Sequence, residues 1–206
     1  MFKTWASTAF MLIFLCGCAV GNKYEYKSMS PNLNVASGGK VAVGVLDQRP
    51  YVLSGDKAPD FVGLQRAGFG NPFDVTTASG NPLASDFADS IVNSLTNSGV
   101  QARSVPLTPS NNKGAAIEAL KNSGSDKSLL ITMAYWKTDT YSNVTLQYDL
   151  TAEVYDNQGQ LLARNQRAAK KGLGGSMWNP PTHAREAVPR EFRNIMQDLL
   201  SDEKIV

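Results

Sequence analysis

Residues 143–155 read Asn143-Val144-Thr145-Leu146-Gln147-Tyr148-Asp149-Leu150-Thr151-Ala152-Glu153-Val154-Tyr155. Val144, Leu146, Tyr148, Leu150, Ala152 and Val154 fall on one side of an extended chain; Thr145, Gln147, Asp149, Thr151 and Glu153 fall on the other. Successive side chains of a strand point to opposite faces, so this stretch is a strand with one buried and one wet face. Asp156-Asn157-Gln158-Gly159 supplies a turn, and Gln160 to Ala169 returns as the second strand of a hairpin.

Upstream, Ser128 to Trp136 is also strand-like, with Leu129, Leu130, Ile131 and Met133. Lys40 to Leu46 alternates Val41, Val43 and Val45 with small residues and suits a buried central strand. Asp47-Gln48-Arg49-Pro50 ends it, because proline has no N–H for a ladder. Between these strands lies a well-marked helix, with Asn81 as N-cap, Pro82 at the first helical position and Gly99 as the stop. Its apolar stripe is Leu83, Phe87, Ile91 and Leu95, widened by Ala84, Ala88 and Val92. A short strand follows at Gln101–Val105, and Pro109-Ser110 opens a second helix with Ala116, Ile117 and Leu120 inward. The last helix carries Val188, Phe192, Ile195 and Leu199 on one side; Pro189 is placed in its first turn, since an interior proline costs about 3 kcal/mol. The order β-α-β-α-β-β-β-α predicts an α/β (α+β) domain, a mixed sheet of about five strands with helices mainly on one face.

Two regions fall outside this pattern. Tyr51 to Gly80 is glycine-rich, contains Pro59 and Pro72, and shows no period, which predicts a long loop. Its aromatics Tyr51, Phe61, Phe69 and Phe73 argue against plain disorder. With Arg49 and Arg66 they form the candidate interaction set, because aromatics and arginines dominate interface hot spots. The same aromatics could instead cover the sheet edge. Val20 to Gly39 is polar and ends in Gly38-Gly39, which predicts a flexible tether with a reach of about 25 Å. Tyr24 and Tyr26 could alternatively pack as an added strand.

The N-terminus is an address. Lys3 precedes an apolar run from Ala6 to Leu15, broken only by Ser7 and Thr8. A run of about ten residues fits a signal-peptide core and is too short to span a bilayer. It ends in Leu15-Cys16-Gly17-Cys18-Ala19, which resembles the lipobox of bacterial lipoproteins. That resemblance implies cleavage before Cys18, acylation of its thiol and, with alanine rather than aspartate at position 19, transfer to the outer membrane. Three acyl chains hold far more firmly than one. Cys16 leaves with the signal and Cys18 is acylated, so the mature chain has neither a free thiol nor a disulfide. The chain thus divides into a signal peptide (1–17), the lipidated cysteine with its tether (18–39) and one periplasmic domain (40–206).

The element order over Lys40 to Leu200 resembles small α/β modules of envelope proteins: the N-terminal domain of TolB, LpoB-type lipoproteins and the periplasmic part of CsgG. The lipobox together with Val41-Ala42-Val43-Gly44-Val45-Leu46-Asp47-Gln48-Arg49-Pro50 is similar to the opening of YajG-type lipoproteins. No site residue is carried over from these resemblances.

Catalytic signals are weak. The single histidine, His183, sits at a helix start with no Gly-x-Ser-x-Gly elbow in the chain, and reads as a surface or capping residue. One histidine and no available thiolate make a metal site unexpected, and no cofactor is implied. Gly68-Phe69-Gly70 and Gly172-Leu173-Gly174-Gly175 lack the Gly-Lys-Ser/Thr ending of phosphate loops. Asp86 with Asp89, and Asp198 with Asp202, are carboxylates at helical spacing, ordinarily solvated. Arg164 to Trp178 holds Arg164, Arg167, Lys170 and Lys171 without an acidic residue, and could meet lipid headgroups or wall carboxylates, or simply form a solvated hairpin face. A net charge of +2 argues against a nucleic-acid partner. The expectation is a non-enzymatic accessory of the cell envelope, anchored in outer-membrane lipid, with an envelope protein or cell-wall partner. The alternative is a small-ligand or glycan-binding module with the 51–80 loop as its lid.

Overall fold

The computed structural model describes residues 21–33, 35 and 38–201. Cys18, the lipobox and Asp202 lie outside the described residues. The described residues form a mixed α/β fold of eight strands in one sheet and four helices. All five anticipated strands are present: β2 (Lys40–Asp47), β5 (Gln101–Ser104), β6 (Lys127–Thr140), β7 (Asn143–Asp156) and β8 (Leu161–Gly175). The three additional strands are β1 (Lys23–Tyr24), β3 (Phe61–Arg66) and β4 (Pro72–Thr77). The helices are α1 (Pro50–Leu53), α2 (Leu83–Asn97), α3 (Lys113–Lys121) and α4 (Pro180–Leu200).

The sheet is forked on β6. One flank of β6 pairs antiparallel with β7 along its whole length, and β8 follows β7. The other flank is shared between two parallel partners: β2 pairs with residues 127–133, and β3 pairs with residues 138–140. Beyond β2 lies β5; beyond β3 lie β4 and then β1. The register of β6 shifts between Met133 and Tyr135, a bulge opposite β7. A bulge inserts one residue and reverses the inward set. Leu129, Ile131 and Met133 point into the core before it, and Trp136, Thr138 and Thr140 are buried after it.

α2 and α4 cover one face of the sheet, closing a core with Val43, Val45, Ile131, Trp136 and the apolar side of β7. All six alternating residues of β7, from Val144 to Val154, lie in it. α3 packs on the other face, where Ala116 and Leu120 meet Ala42, Leu46, Leu130 and Tyr155. The centre of the larger core is aromatic. Phe87 and Trp136 stand edge to face at 5.1 Å, and Phe87 meets Phe192 at 4.4 Å. Such pairs favour tilted or perpendicular geometry because ring faces are negative and edges positive.

Five expectations are corrected. The 22–33 segment is no tether: β1 pairs parallel with β4, Tyr24 and Tyr26 are fully buried, and Leu33 is buried as well. Tyr26 lies 5.3 Å from Phe192, edge to face, and accepts a hydrogen bond from the Trp136 indole N–H at 3.2 Å. Ser94 Oγ donates to the Pro31 carbonyl and Ser98 Oγ to that of Leu33, which satisfies the backbone of this irregular stretch. Two tyrosines bury too much apolar area to be left in water.

The 51–80 stretch is no loop and no lid; it is α1 and an antiparallel hairpin, β3–β4, built into the sheet. Gly63 is required there, since a Cβ at that position would lie 2.4 Å from the Thr138 carbonyl oxygen. α3 starts at Lys113 with Asn112 as N-cap, its side chain accepting from the Ala115 N–H, so Pro109-Ser110 belongs to the preceding loop; α2 starts at Leu83, and Asn81 makes no side-chain cap.

Pro189, finally, lies inside α4 rather than in its first turn. Asn179 caps this helix by accepting from Thr182 N–H, and Pro180 and Pro181 fill the first positions, where a missing N–H costs nothing. The ring of Pro189 is buried in the core, and Arg185, whose carbonyl loses its donor, is exposed.

Candidate interaction surface

The six candidate residues separate into two groups. Arg49, Tyr51 and Phe61 come together inside the fork, between the end of β2 and the start of β3. Arg49 is wholly buried. Its Nε and Nη2 donate to the Asp47 carboxylate at 2.8 and 2.6 Å, and the same guanidinium donates to the carbonyls of Phe61 and Pro59. It also lies 5.5 Å from the centre of the Tyr51 ring, which stands edge to face with Phe61 at 5.4 Å. Burial pushes the Tyr51 hydroxyl up to about 12, against the lowering effect of Arg49, and that hydroxyl donates to the Trp136 carbonyl. A planar, five-donor cation is the side chain able to hold a carboxylate bidentately and two carbonyls at once. This cluster therefore ties β2 to β3 where β6 changes partner, with Arg49 and Phe61 buried and Tyr51 half-buried.

Arg66, Phe69 and Phe73 lie on the hairpin. Arg66 makes a bidentate pair with Asp139 at 2.6 and 2.8 Å, half exposed. Phe73 is half-buried opposite Gln65. Phe69 alone projects into solvent, at the turn between β3 and β4.

The basic run is β8, and most of its charge is used within the fold. Arg164 lies 3.7 Å from Glu153, Arg167 bonds Asp198 at 2.6 Å, and Lys171 bonds Glu191 at 2.7 Å. Arg167 holds the Asp198 carboxyl below the usual carboxylate range. Two of these pairs join β8 to α4, so the run fastens a helix. Charged side chains on the outer strand also discourage edge-to-edge association.

His183 is in the first turn of α4, with Nε2 2.8 Å from the Leu173 carbonyl oxygen. A carbonyl only accepts, so Nε2 carries the proton and the histidine ties the end of β8 to α4. Gly68-Phe69-Gly70 is the tip of a hairpin, and Gly172 to Gly175 are the end of β8. Among the described residues no group of three or more His, Cys, Asp or Glu side chains is arranged to hold a metal ion.

Asp86 and Asp89 do not share a cleft. Asp89 pairs with Lys27 at 3.0 Å. Asp86 is fully buried in the first turn of α2, where Ser79 Oγ donates to both its oxygens at 2.8 Å. Burial nevertheless raises its pKa to about 6. A carboxyl whose folded pKa stands above its unfolded value holds its proton more tightly when folded. Stability therefore falls as the pH rises from about 4 to about 6 and is flat above that. Asp86→Asn keeps an acceptor for Ser79 without the charge. By urea titration it is expected to match the native chain at pH 4 and to exceed it by about 2–3 kcal/mol at pH 7.5; parallel pH profiles for the two chains would contradict this.

Six large apolar side chains outside the candidate set are exposed among the described residues: Leu53, Tyr141, Leu161, Leu162, Met177 and Trp178. Met177 and Trp178 lie between Ser176 and Asn179-Pro180, an apolar pair inside a turn-forming segment. That local mismatch is the one sequence signal that could have found them. Tyr141 occupies the β6–β7 turn, and its hydroxyl donates to the Gly68 carbonyl at 3.3 Å, next to Phe69.

The fold so described is a mixed sheet with helices on both faces, two on one side and one on the other. No family model and no curated protein matches the chain. Solved structures with a similar arrangement include a Xanthomonas campestris protein of the family DUF330, at 13% identity and TM-score 0.47 over 82% of this chain and 91% of that one. They also include the C-terminal domain of LpoB from Salmonella enterica, at 16% identity and TM-score 0.32 over 67% and 87%. A lipoprotein from Neisseria meningitidis is similar at 17% identity and TM-score 0.30 over 77% and 99%.

Proposed function

We propose that this chain is an outer-membrane lipoprotein, held by acyl chains on Cys18, whose α/β domain is a non-enzymatic binding or assembly accessory of the cell envelope. The observation that carries the reading is Leu15-Cys16-Gly17-Cys18-Ala19 at the end of a short apolar run. The thiol of Cys18 is the acceptor, and small residues before it suit a narrow peptidase site. The structural roles of the polar groups support the non-enzymatic part. His183 is bonded to a backbone carbonyl, Asp86 to Ser79, and Arg49 to Asp47 and two carbonyls, each a closed local arrangement. The partner is an envelope protein or a cell-wall polymer.

Cells supplied with labelled palmitate are expected to label the native chain and not Cys18→Ala. The native chain should sediment with outer-membrane vesicles, while the variant keeps its uncleaved signal. A native chain recovered unlabelled from the soluble periplasm would sink the anchor. Cross-linking in intact envelopes should join the native chain to an envelope protein or wall fragment; recovery of the chain joined only to itself would sink the accessory role.

A further inference from the structure

The N-terminal entry and three connections meet at one end of the sheet. Asn22 donates to the Pro181 carbonyl at 2.6 Å, at the start of α4, and the Gly21 backbone presses on that of Asp74. The β3–β4 turn is joined to the β6–β7 turn by the bond from Tyr141 to Gly68. The end of β8 lies beside that same turn, with Gly175 paired to Asn143. Pro180 and Pro181 share a shallow groove with Gly68 and Tyr141.

This end concentrates exposed apolar surface. Phe69, Met177 and Trp178 are 99%, 94% and 97% exposed, and Tyr141 beside them is 51% exposed. The other exposed large apolar residues among the described ones, Leu53, Leu161 and Leu162, are about half exposed, like Tyr141, and none approaches the exposure of Phe69, Met177 and Trp178. The acidic groups here are neutralised, Asp74 by Lys57 and Asp139 by Arg66. An aromatic and sulfur-bearing rim on three separate turns, without uncompensated negative charge, suits the headgroup boundary of a bilayer, where tryptophan and tyrosine settle.

The geometry points to a second membrane contact: Phe69, Tyr141, Met177 and Trp178 seat this end of the domain in the lipid surface beside the acylated Cys18. The inference rests on the lipoprotein reading. Cys18 is three residues from Gly21, and three residues span at most about 11 Å. The lipid anchor and the apolar rim therefore occupy the same end of the domain, which is what selects lipid over a protein as the occupant. The domain is held against the membrane in one orientation, the β7–β8 turn and α3 standing clear, rather than swinging on a leash.

The test uses the acylated chain in vesicles of phosphatidylethanolamine and phosphatidylglycerol, with and without dibrominated phosphatidylcholine. Trp5 leaves with the signal and Trp136 is fully buried, so the difference between the native chain and Trp178→Phe reports on position 178. That difference is expected to shift to the blue, to lose accessibility to iodide, and to be quenched at least about twofold by brominated lipid. A second readout is a nitroxide on Phe69→Cys, the sole free thiol once Cys18 is acylated, which should be more accessible to oxygen than to a nickel chelate. If the chain floats with vesicles while Trp178 keeps a water-like, iodide-accessible emission and the nitroxide stays in water, the docking is wrong and the anchor stands. If the chain carries no acyl group and does not float, both are wrong.

Discussion

Replacing Arg49 with alanine is expected to remove about 3–5 kcal/mol of folding stability, read as a lowered urea midpoint at neutral pH. The guanidinium is wholly buried and its partner carboxylate on Asp47 is 2% exposed, so the variant leaves an ionised group in the interior without its counter-charge. The carbonyls of Pro59 and Phe61 lose their donor at the same time. Lysine is not a substitute, because a single ammonium cannot reach a carboxylate and two carbonyls in one plane. Replacing both members, Asp47→Asn with Arg49→Met, should recover part of the loss, since the largest penalty lies in the unpaired charge. A loss below about 1 kcal/mol for Arg49→Ala would mean that strand pairing alone holds the fork closed.

Tyr26→Ala separates two views of the N-terminal segment. A residue in a solvated tether changes stability by no more than about 0.5 kcal/mol when truncated. A fully buried aromatic removed from a packed core costs about 3–5 kcal/mol. Tyr26 touches Phe87, Trp136 and Phe192, at ring separations of 5.6, 5.9 and 5.3 Å, and its hydroxyl accepts from the Trp136 indole. The larger loss is expected. Tyr26→Phe should cost far less, about 1 kcal/mol, because it keeps the ring and gives up one hydrogen bond. Denaturation of the two variants side by side checks both numbers, since domains of this size have only about 5–15 kcal/mol to lose.

The strands that could be read from sequence are those whose neighbours impose a period. β7 is buried along one face and wet along the other, so its alternation is written in the residues themselves. β2 lies between β5 and β6 and needs apolar residues on both faces, which makes a continuous β-branched run. β1 is two residues long, and no period can be read from Lys23-Tyr24; its place is set by residues distant in the chain. β3 and β4 are disguised by Gly63, whose glycine serves close approach to Thr138 rather than a turn. The bulge in β6 moves the inward set from Leu129, Ile131 and Met133 to Trp136, which a strict two-residue period cannot follow.

The candidate site shows the limit of residue type as a guide. Arginine and aromatics dominate interfaces, yet in Arg49 and Phe61 the same chemistry holds an interior together. Only Phe69 of the set faces outward without a partner ring or charge, and its companions at that end, Tyr141, Met177 and Trp178, come from other parts of the chain. Their proximity is a property of topology, through the turns that β3–β4, β6–β7 and β8–α4 bring to one end.

The contact between Asn22 and Pro181 joins residues 159 positions apart, and Tyr26 closes on Phe192 further along still. A chain made from its N-terminus presents Tyr26 long before the last helix follows. The first packed residues must then wait for the last ones, and a fold dominated by such distant pairings closes slowly. Until α4 arrives, Tyr26 lacks the Phe192 side of its seat, so the first segment of the domain is among the last pieces of the core to close.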